Sequence, residues 1–290
     1  MHPMEVEHFC EHLRMRNYAH HTIESYRLDL RLFFAAIAKP VRQISWRDVD
    51  RFIGHQHHQG LASTTINRRL HALKRFFDFL VLDQATLAVN PVKPSHYLRQ
   101  GRALPKNLSA EHLTQLFATI EHPMDRALFL LMLRCGLRVS EVASLKVSAI
   151  DWEQQALQVE QGKGQRDRVV YLSADALASL RECWQQRPPA VPDEYVFWNQ
   201  KRQNRPLSIK AIQKKMARYA KKAGIAASCH RLRHTFASEL LEHGAELVSI
   251  RELLGHASMT ASERYAKLSN QQVKQEYLRT MRKILRRNKV

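Results

Sequence analysis

The chain has 290 residues, 44% of them hydrophobic, and sets 46 Lys and Arg against 27 Asp and Glu for a formal net charge of +19. That length and apolar content suit two folded domains. No run approaches the roughly 20 apolar residues of a membrane span, and the N-terminus "MHPMEVEHFCEHL" is too polar and acidic for a signal peptide, so the chain is expected in the cytoplasm. Its four cysteines, Cys10, Cys135, Cys183 and Cys229, stand singly with no C-x-x-C pair, which argues against a zinc ribbon or a disulfide framework. The cation excess calls for a polyanion, and nucleic acid fits best because neutralising its phosphates releases counterions. A solvated basic surface or an acidic-membrane contact is the plainer reading of the same charge.

In chain order, "TIESYRLDLRLFFAAIA" from Thr22 spaces Ile23, Tyr26, Leu30, Phe33, Phe34 and Ile37 as one helical face, with Thr22 as the expected N-cap. Ser45 opens a second helix with Asp48 at N3, a short-armed capping box. Ser63 opens a third, "STTINRRLHALKRFFDFLVL", which turns Ile66, Leu70, Leu73, Phe76, Phe77 and Leu80 inward and is expected to leave Arg68, Arg69, Lys74 and Arg75 outward. A basic helix of this kind fits a DNA major groove, although an ordinary solvated face has the same composition. Residues 1–89 therefore read as an all-helical domain.

Residues 90–108 hold three prolines, Gly101 and the basic Lys93, Arg99, Arg102 and Lys106 with no acid, and are expected to be an interdomain linker. Joining two basic domains, it would serve a clamp around a duplex or an inert tether equally well. Ser109 then starts a second domain, expected to run to residue 268. In it "MDRALFLLMLRCG" is a buried helix stopped by Gly136. "LQVEQGKGQRDRVVYL" reads as a β-hairpin with Lys163 in its tip, and mostly helical patterning follows Ser173.

Three clusters stand out chemically. In "CHRLRHTFA", His230 and His234 share a helical face, as in H-E-x-x-H zinc sites, but no Glu lies between them, Arg231 and Arg233 add positive charge, and no third ligand follows closely. No metal is expected. Arg233 beside His230 suits an anion instead, while packing and solvent exposure are the bland fates of these residues. In "CGLRVSEVASL", Arg138 lies three residues before Glu141, which would hold its guanidinium with donors left for a phosphate, or simply pair with it. In "ELLGHASMTASERYAKL", His256 follows Gly255 and Tyr265 lies nine residues on; a core tyrosine and a cation-activated nucleophile are both compatible with that spacing.

Taken in order, "GLRVSEVASL", "GKGQRDR", "HRLRHTFASELLEHG" and "LLGHASMTASERY" resemble the active-site motifs of the tyrosine site-specific recombinases, the phage-integrase and Xer family. "TIESYRLDLRLFF", "STTINRRLHALKRFFDFL" and "LPKNLSAEHL" extend the resemblance over nearly the whole chain. It implies a mainly α architecture with a small β-hairpin or sheet, in which a helical core-binding domain and an α+β catalytic domain form a clamp around DNA. The activity implied is breaking and rejoining of DNA through a 3′-phosphotyrosyl link, without ATP, metal or other cofactor. By the same resemblance, Arg138 and Arg233 would bind the non-bridging oxygens of the scissile phosphate, with His230 and His256 completing the pocket. Lys163 would protonate the leaving 5′ oxygen and Tyr265 would attack, with Glu141 and His234 beside these groups.

The implied partners are double-stranded DNA with paired inverted recognition arms, a homo-tetramer on two sites, and a related recombinase or accessory protein, in a bacterial nucleoid-associated setting. The tail from 269, "SNQQVKQEYLRTMRKILRRNKV", departs from chromosomal Xer proteins and favours a mobile-element enzyme of integration, excision or resolution. Chromosome or plasmid dimer resolution, or a non-catalytic DNA-binding protein of the same fold, are the alternatives. That tail would dock on a neighbouring protomer or bind DNA through Arg282, Lys283, Arg286 and Arg287.

Overall fold

The structure is a computed structural model that describes residues 4–99, 107–160, 167–187, 194–199, 205–255 and 270–287. It divides into two compact units, Met1–Ala103 and Leu104–Val290.

The first unit is helical: α1 (Met4–Met15), α2 (His20–Ile37), α3 (Trp46–His58) and α4 (Ser63–Leu82). The periodic residues of α2 and α4 form its core as their spacing predicts, with Ile66, Leu70, Leu73, Phe76, Phe77 and Leu80 fully buried. Aromatic rings interlock edge to face there, Phe33 with Phe52 at 5.1 Å and Phe34 with Phe76 at 5.8 Å between centroids. Asp48 closes the start of α3 by accepting from the Ser45 N–H at 2.9 Å and Oγ at 2.7 Å. The starts of α2 and α4 differ from expectation. Ala19 and Ala62 occupy the N-cap positions without side-chain caps, so Thr22 and Ser63 lie inside their helices. Packing of the apolar faces fixes these ends without a capping hydroxyl.

Residues 90–99, read above as the start of a linker, fold back on this unit. Asn67 brackets Leu98, its side-chain amide donating to the Leu98 carbonyl at 2.8 Å and its oxygen accepting the Leu98 N–H at 2.9 Å. Val92 is buried in the same core, and His96, also buried, lies 3.3 Å from Asp50.

The second unit comprises α5 (Ala110–Ala118), α6 (Pro123–Arg134), α7 (Val139–Ala143), strands β1 (Ile150–Asp151), β2 (Ala156–Val159) and β3 (Arg168–Tyr171), then α8 (Ala174–Gln185), α9 (Ile209–Lys222), α10 (Cys229–Glu242), α11 (Leu247–Leu254) and α12 (Asn270–Arg287). Ser109 caps α5, its Oγ accepting from the His112 N–H at 3.2 Å. The strands form an antiparallel sheet in the order β1-β2-β3, with Val159 opposite Arg168. The expected hairpin is thus β2–β3, extended by β1; its tip, including Lys163, lies outside the described residues.

Buried α6 packs against α8 and α10 and ends at Gly136, whose φ is +65°. A Cβ there would come within 2.5 Å of the Phe236 ring on α10, so glycine is required both by conformation and by close approach. Arg134, fully buried at the end of α6, is neutralised by Asp175 at 2.9 Å and Glu239 at 3.4 Å. The segment read as a tail supplies α12, which buries Val273, Tyr277, Met281 and Ile284 in this unit's own core. Their helical spacing makes one apolar stripe, which leaves Arg279, Arg282, Lys283, Arg286 and Arg287 exposed.

Candidate active site

Arg138 is the N-cap residue of α7, which puts Glu141 at N3. Glu141 turns back on it: Oε2 accepts the Arg138 N–H at 2.7 Å and Oε1 accepts from its guanidinium at 2.7 Å. The same carboxylate meets a second arginine side-on. Arg168, the first residue of β3, donates through Nη1 to Oε1 at 3.0 Å and through Nη2 to Oε2 at 2.8 Å. Arg233 reaches in from α10, with Nη1 3.8 Å from Glu141 Oε2, and donates to the Gly136 carbonyl.

These arginines share one more partner, the C-terminal end of α11. Arg168 Nε donates to the Leu253 carbonyl at 2.7 Å, Arg233 Nη2 to Leu254 at 2.6 Å, and Arg138 Nη2 to Gly255 at 3.3 Å. Carbonyls at a helix end lack intrahelical partners and carry partial negative charge, so three guanidiniums are well matched to them. Gly255, at φ +62°, ends the helix there.

Three cations face one carboxylate in a largely dry cluster. The side chains of Arg168, Arg233 and Glu141 are 5%, 8% and 9% exposed, while that of Arg138 is 32% exposed. Burial alone would raise the Glu141 pKa, but the hydrogen bond and charge of Arg168, with the backbone and side chain of Arg138, hold it down at about 2. Arg233 is lowered to about 10, by burial first and then by the charge of Arg138. The uncompensated positive charge suits a bound anion, and the fixed guanidinium donors suit a phosphate.

Ser228 caps α10, its Oγ accepting the Arg231 N–H at 3.3 Å, and the first turns present His230 and His234 on one exposed face. Their Nε2 atoms are 2.9 Å apart. One ring must donate and the other accept, so the pair is compatible with at most one proton between these nitrogens. Although His230 is largely exposed, partial desolvation of its ring first, then the charges of His234 and Arg233, lower its pKa and favour its neutral form. Of the residues expected in the site, Arg138, Arg233 and Glu141 are brought together, and His234 hydrogen-bonds His230. Lys163, His256 and Tyr265 lie outside the described residues.

Sequence reasoning missed Arg168. The available signal was its register: strand residues two apart share a face, and buried Val170 puts Arg168 on the apolar side, where a charge needs a partner.

The basic residues of α4 are less free than expected. Arg68, Lys74 and Arg75 are exposed, but Arg69 is half-buried. Asp29, buried on α2, draws Arg68 at 2.8 Å and Arg69 at 3.8 Å because its carboxylate cannot remain unpaired. Lys74 pairs with Asp78 at 2.7 Å, and Arg75 donates to the Tyr18 hydroxyl at 2.6 Å. Among the described residues, no helix is long and apolar enough to cross a membrane.

Comparison with known proteins identifies the family of the chain. Residues 106–272 match the model of the phage integrase family, and residues 6–84 match the phage integrase N-terminal SAM-like domain. The chain is 32% identical to the tyrosine recombinase XerA of Pyrococcus furiosus, over 93% of this chain and 91% of that protein. It is 33% identical to XerC of Haemophilus influenzae, over 93% and 94%. In fold it resembles the Tn1549 transposon integrase bound to a circular intermediate DNA, with a TM-score of 0.76 at 18% identity over 95% of this chain and 99% of that one. It also resembles a lambda integrase dimer bound to a core site, with a TM-score of 0.72 at 19% identity over 88% and 94%. The chain belongs to the phage integrase family and is a tyrosine recombinase, an enzyme of DNA strand exchange.

Proposed function

We propose that the arginine cluster grips the scissile phosphate of a specific DNA site and that Tyr265 breaks the strand there. In this reading Arg138 and Arg233 hold the non-bridging oxygens, with His230 and His256 completing the pocket. The Tyr265 oxygen bonds to phosphorus as the bond to the 5′ oxygen breaks, leaving a 3′-phosphotyrosyl link. Lys163 supplies the proton to the departing 5′ oxygen. The phenolic proton passes to a neutral base, a role that suits His230 because partial desolvation and nearby cations favour its uncharged form. Attack by a different 5′-hydroxyl reverses the chemistry and joins new ends, with no ATP and no metal.

The observation that carries this reading is the convergence of Arg138 and Arg233 on Glu141 and on the last carbonyls of α11, immediately before His256 in the chain. Phosphoryl transfer spreads negative charge over equatorial oxygens, and pre-positioned cations stabilise it without reorganising; losing one such donor costs about 10²–10³ in rate.

The DNA partner is a duplex with paired inverted arms. It is bound by the first unit through exposed Arg68, Lys74 and Arg75, with Arg69 supporting them, and four protomers assemble on two sites with or without an accessory protein. The cellular setting is the bacterial nucleoid. A mobile-element role, in integration, excision or resolution, is supported by the divergent C-terminal segment. Dimer resolution is the second reading, favoured by the nearly full-length match to XerA and XerC. Sequencing the DNA beside the gene separates them: terminal repeats or attachment sites support the first, and a chromosomal or plasmid resolution site supports the second. A non-catalytic binding role predicts specific duplex binding with no covalent adduct on a nicked duplex.

A further inference from the structure

We infer that Arg168 is a positioning residue for the strand-cleavage reaction, acting through Glu141 and the end of α11. The inference rests on the catalytic reading above. Its three guanidinium nitrogens are all engaged, Nη1 and Nη2 on the two oxygens of Glu141 and Nε on the Leu253 carbonyl. One rigid fork therefore joins three chain segments. It begins β3, the strand that follows Lys163 in the chain. It fixes the carboxylate that orients Arg138 and lies 3.8 Å from Arg233. It also pins the last turn of α11, from which the chain runs on to His256 and Tyr265.

Arg168 is held away from solvent with its donors directed into the protein, so it is not itself a phosphate ligand. Its effect on the reaction is to set where the phosphate-facing guanidiniums stand. Without it Glu141 keeps Arg138 and Arg233 as partners but loses its side-on clamp, and the two cations gain freedom relative to the hairpin and α11. Misplacing catalytic groups by about 1 Å costs on the order of 10²-fold in rate, with binding left intact.

Lysine retains charge and reach but gathers its donors on one nitrogen where the site uses a planar fork over three acceptors, which makes Arg168→Lys the informative variant. Arg168→Gln keeps planarity and donors without charge. The probe is a nicked suicide duplex whose sequence is selected from a random pool by the Tyr265→Phe protein. Duplex affinity, single-turnover adduct rate and melting temperature are measured for each protein.

The expected result is wild-type adduct formation, about 10-fold slower adduct formation with Arg168→Lys and about 10²-fold slower with Arg168→Gln, both binding the duplex within about twofold of wild type. Arg168→Lys at the wild-type rate overturns the inference. So does a fall in affinity or a loss of folding that matches the fall in rate, because that is what a purely structural ion pair produces. Absence of adduct from the wild-type protein itself contradicts the catalytic reading, and is told apart from the other outcomes by that control.

Discussion

Glu276, on the last helix, closes the first turn of α11: its carboxylate accepts the backbone N–H of Glu246 at 2.7 Å and the hydroxyl of Ser249. Glu246 is the N-cap residue of α11 and has no side-chain cap of its own. The short helix that leads into the His256–Tyr265 segment is therefore held at both ends by side chains from elsewhere, a carboxylate at its positive end and three arginines at its negative end.

Replacing Glu276 by Ala removes an N-terminal cap and is expected to cost about 1 kcal/mol of stability. The loss should concentrate in α11. Hydrogen exchange checks this: amides of residues 247–254 exchange faster in the variant, while those of α6 change only with the global stability.

Gly136→Ala places a methyl group against the Phe236 ring and strains a residue at φ +65°. Together these are expected to cost about 2–4 kcal/mol, measured by denaturant unfolding. Because the Gly136 carbonyl also holds Arg233, adduct formation should slow even below the melting temperature.

Glu141 makes the second unit acid-sensitive. Its carboxyl is held at about 2 in the folded protein and returns to near 4.5 on unfolding. A depressed folded pKa gives stability that is fully present above about 4.5 and is lost as pH falls through about 2. Thermal melts between about pH 5 and pH 2.5 should therefore fall less steeply for Glu141→Gln than for wild type, from a lower starting point.

The histidine pair gives a second titration. The His230 midpoint lies below its ordinary 6.5, with partial desolvation as the first cause and the charges of His234 and Arg233 adding to it. His234→Asn should raise that midpoint while leaving it below 6.5, as followed by NMR of the imidazole. A midpoint unmoved by the substitution means that His234 exerts no charge on His230.

For DNA contact by α4, Lys74→Ala should weaken duplex binding and reduce the slope of log affinity against log salt by about 0.9, the value for one phosphate contact. Its pair with Asp78 is surface-exposed and stabilises little. Arg69→Ala should act mainly on stability, because Arg69 is half-buried against Asp29.

The legible parts of this protein are those encoded locally. Helical spacing in α2 and α4, the Ser45–Asp48 capping box, Gly136 and the Arg138–Glu141 pair all depend on residues within a few positions of one another. What escaped depends on distant approach. Arg168 meets Glu141 from 27 residues away, Glu276 reaches Ser249 across the same separation, and Asn67 fixes Leu98 from 31 residues away. The cation excess was visible in composition, but which cations are occupied was not. Asp29 looks like any polar residue until α2 and α4 pack and bury it. The apolar stripe of α12 was present in the sequence but masked by its many basic residues.

The most direct test is a nicked suicide duplex of the selected sequence, incubated with wild-type protein and with Tyr265→Phe and resolved under denaturing conditions. A protein–DNA adduct resistant to denaturation, joined at a 3′ phosphate and absent with Tyr265→Phe, is the predicted result. Adduct persisting with Tyr265→Phe, or none from a wild-type protein that binds the duplex specifically, would contradict it.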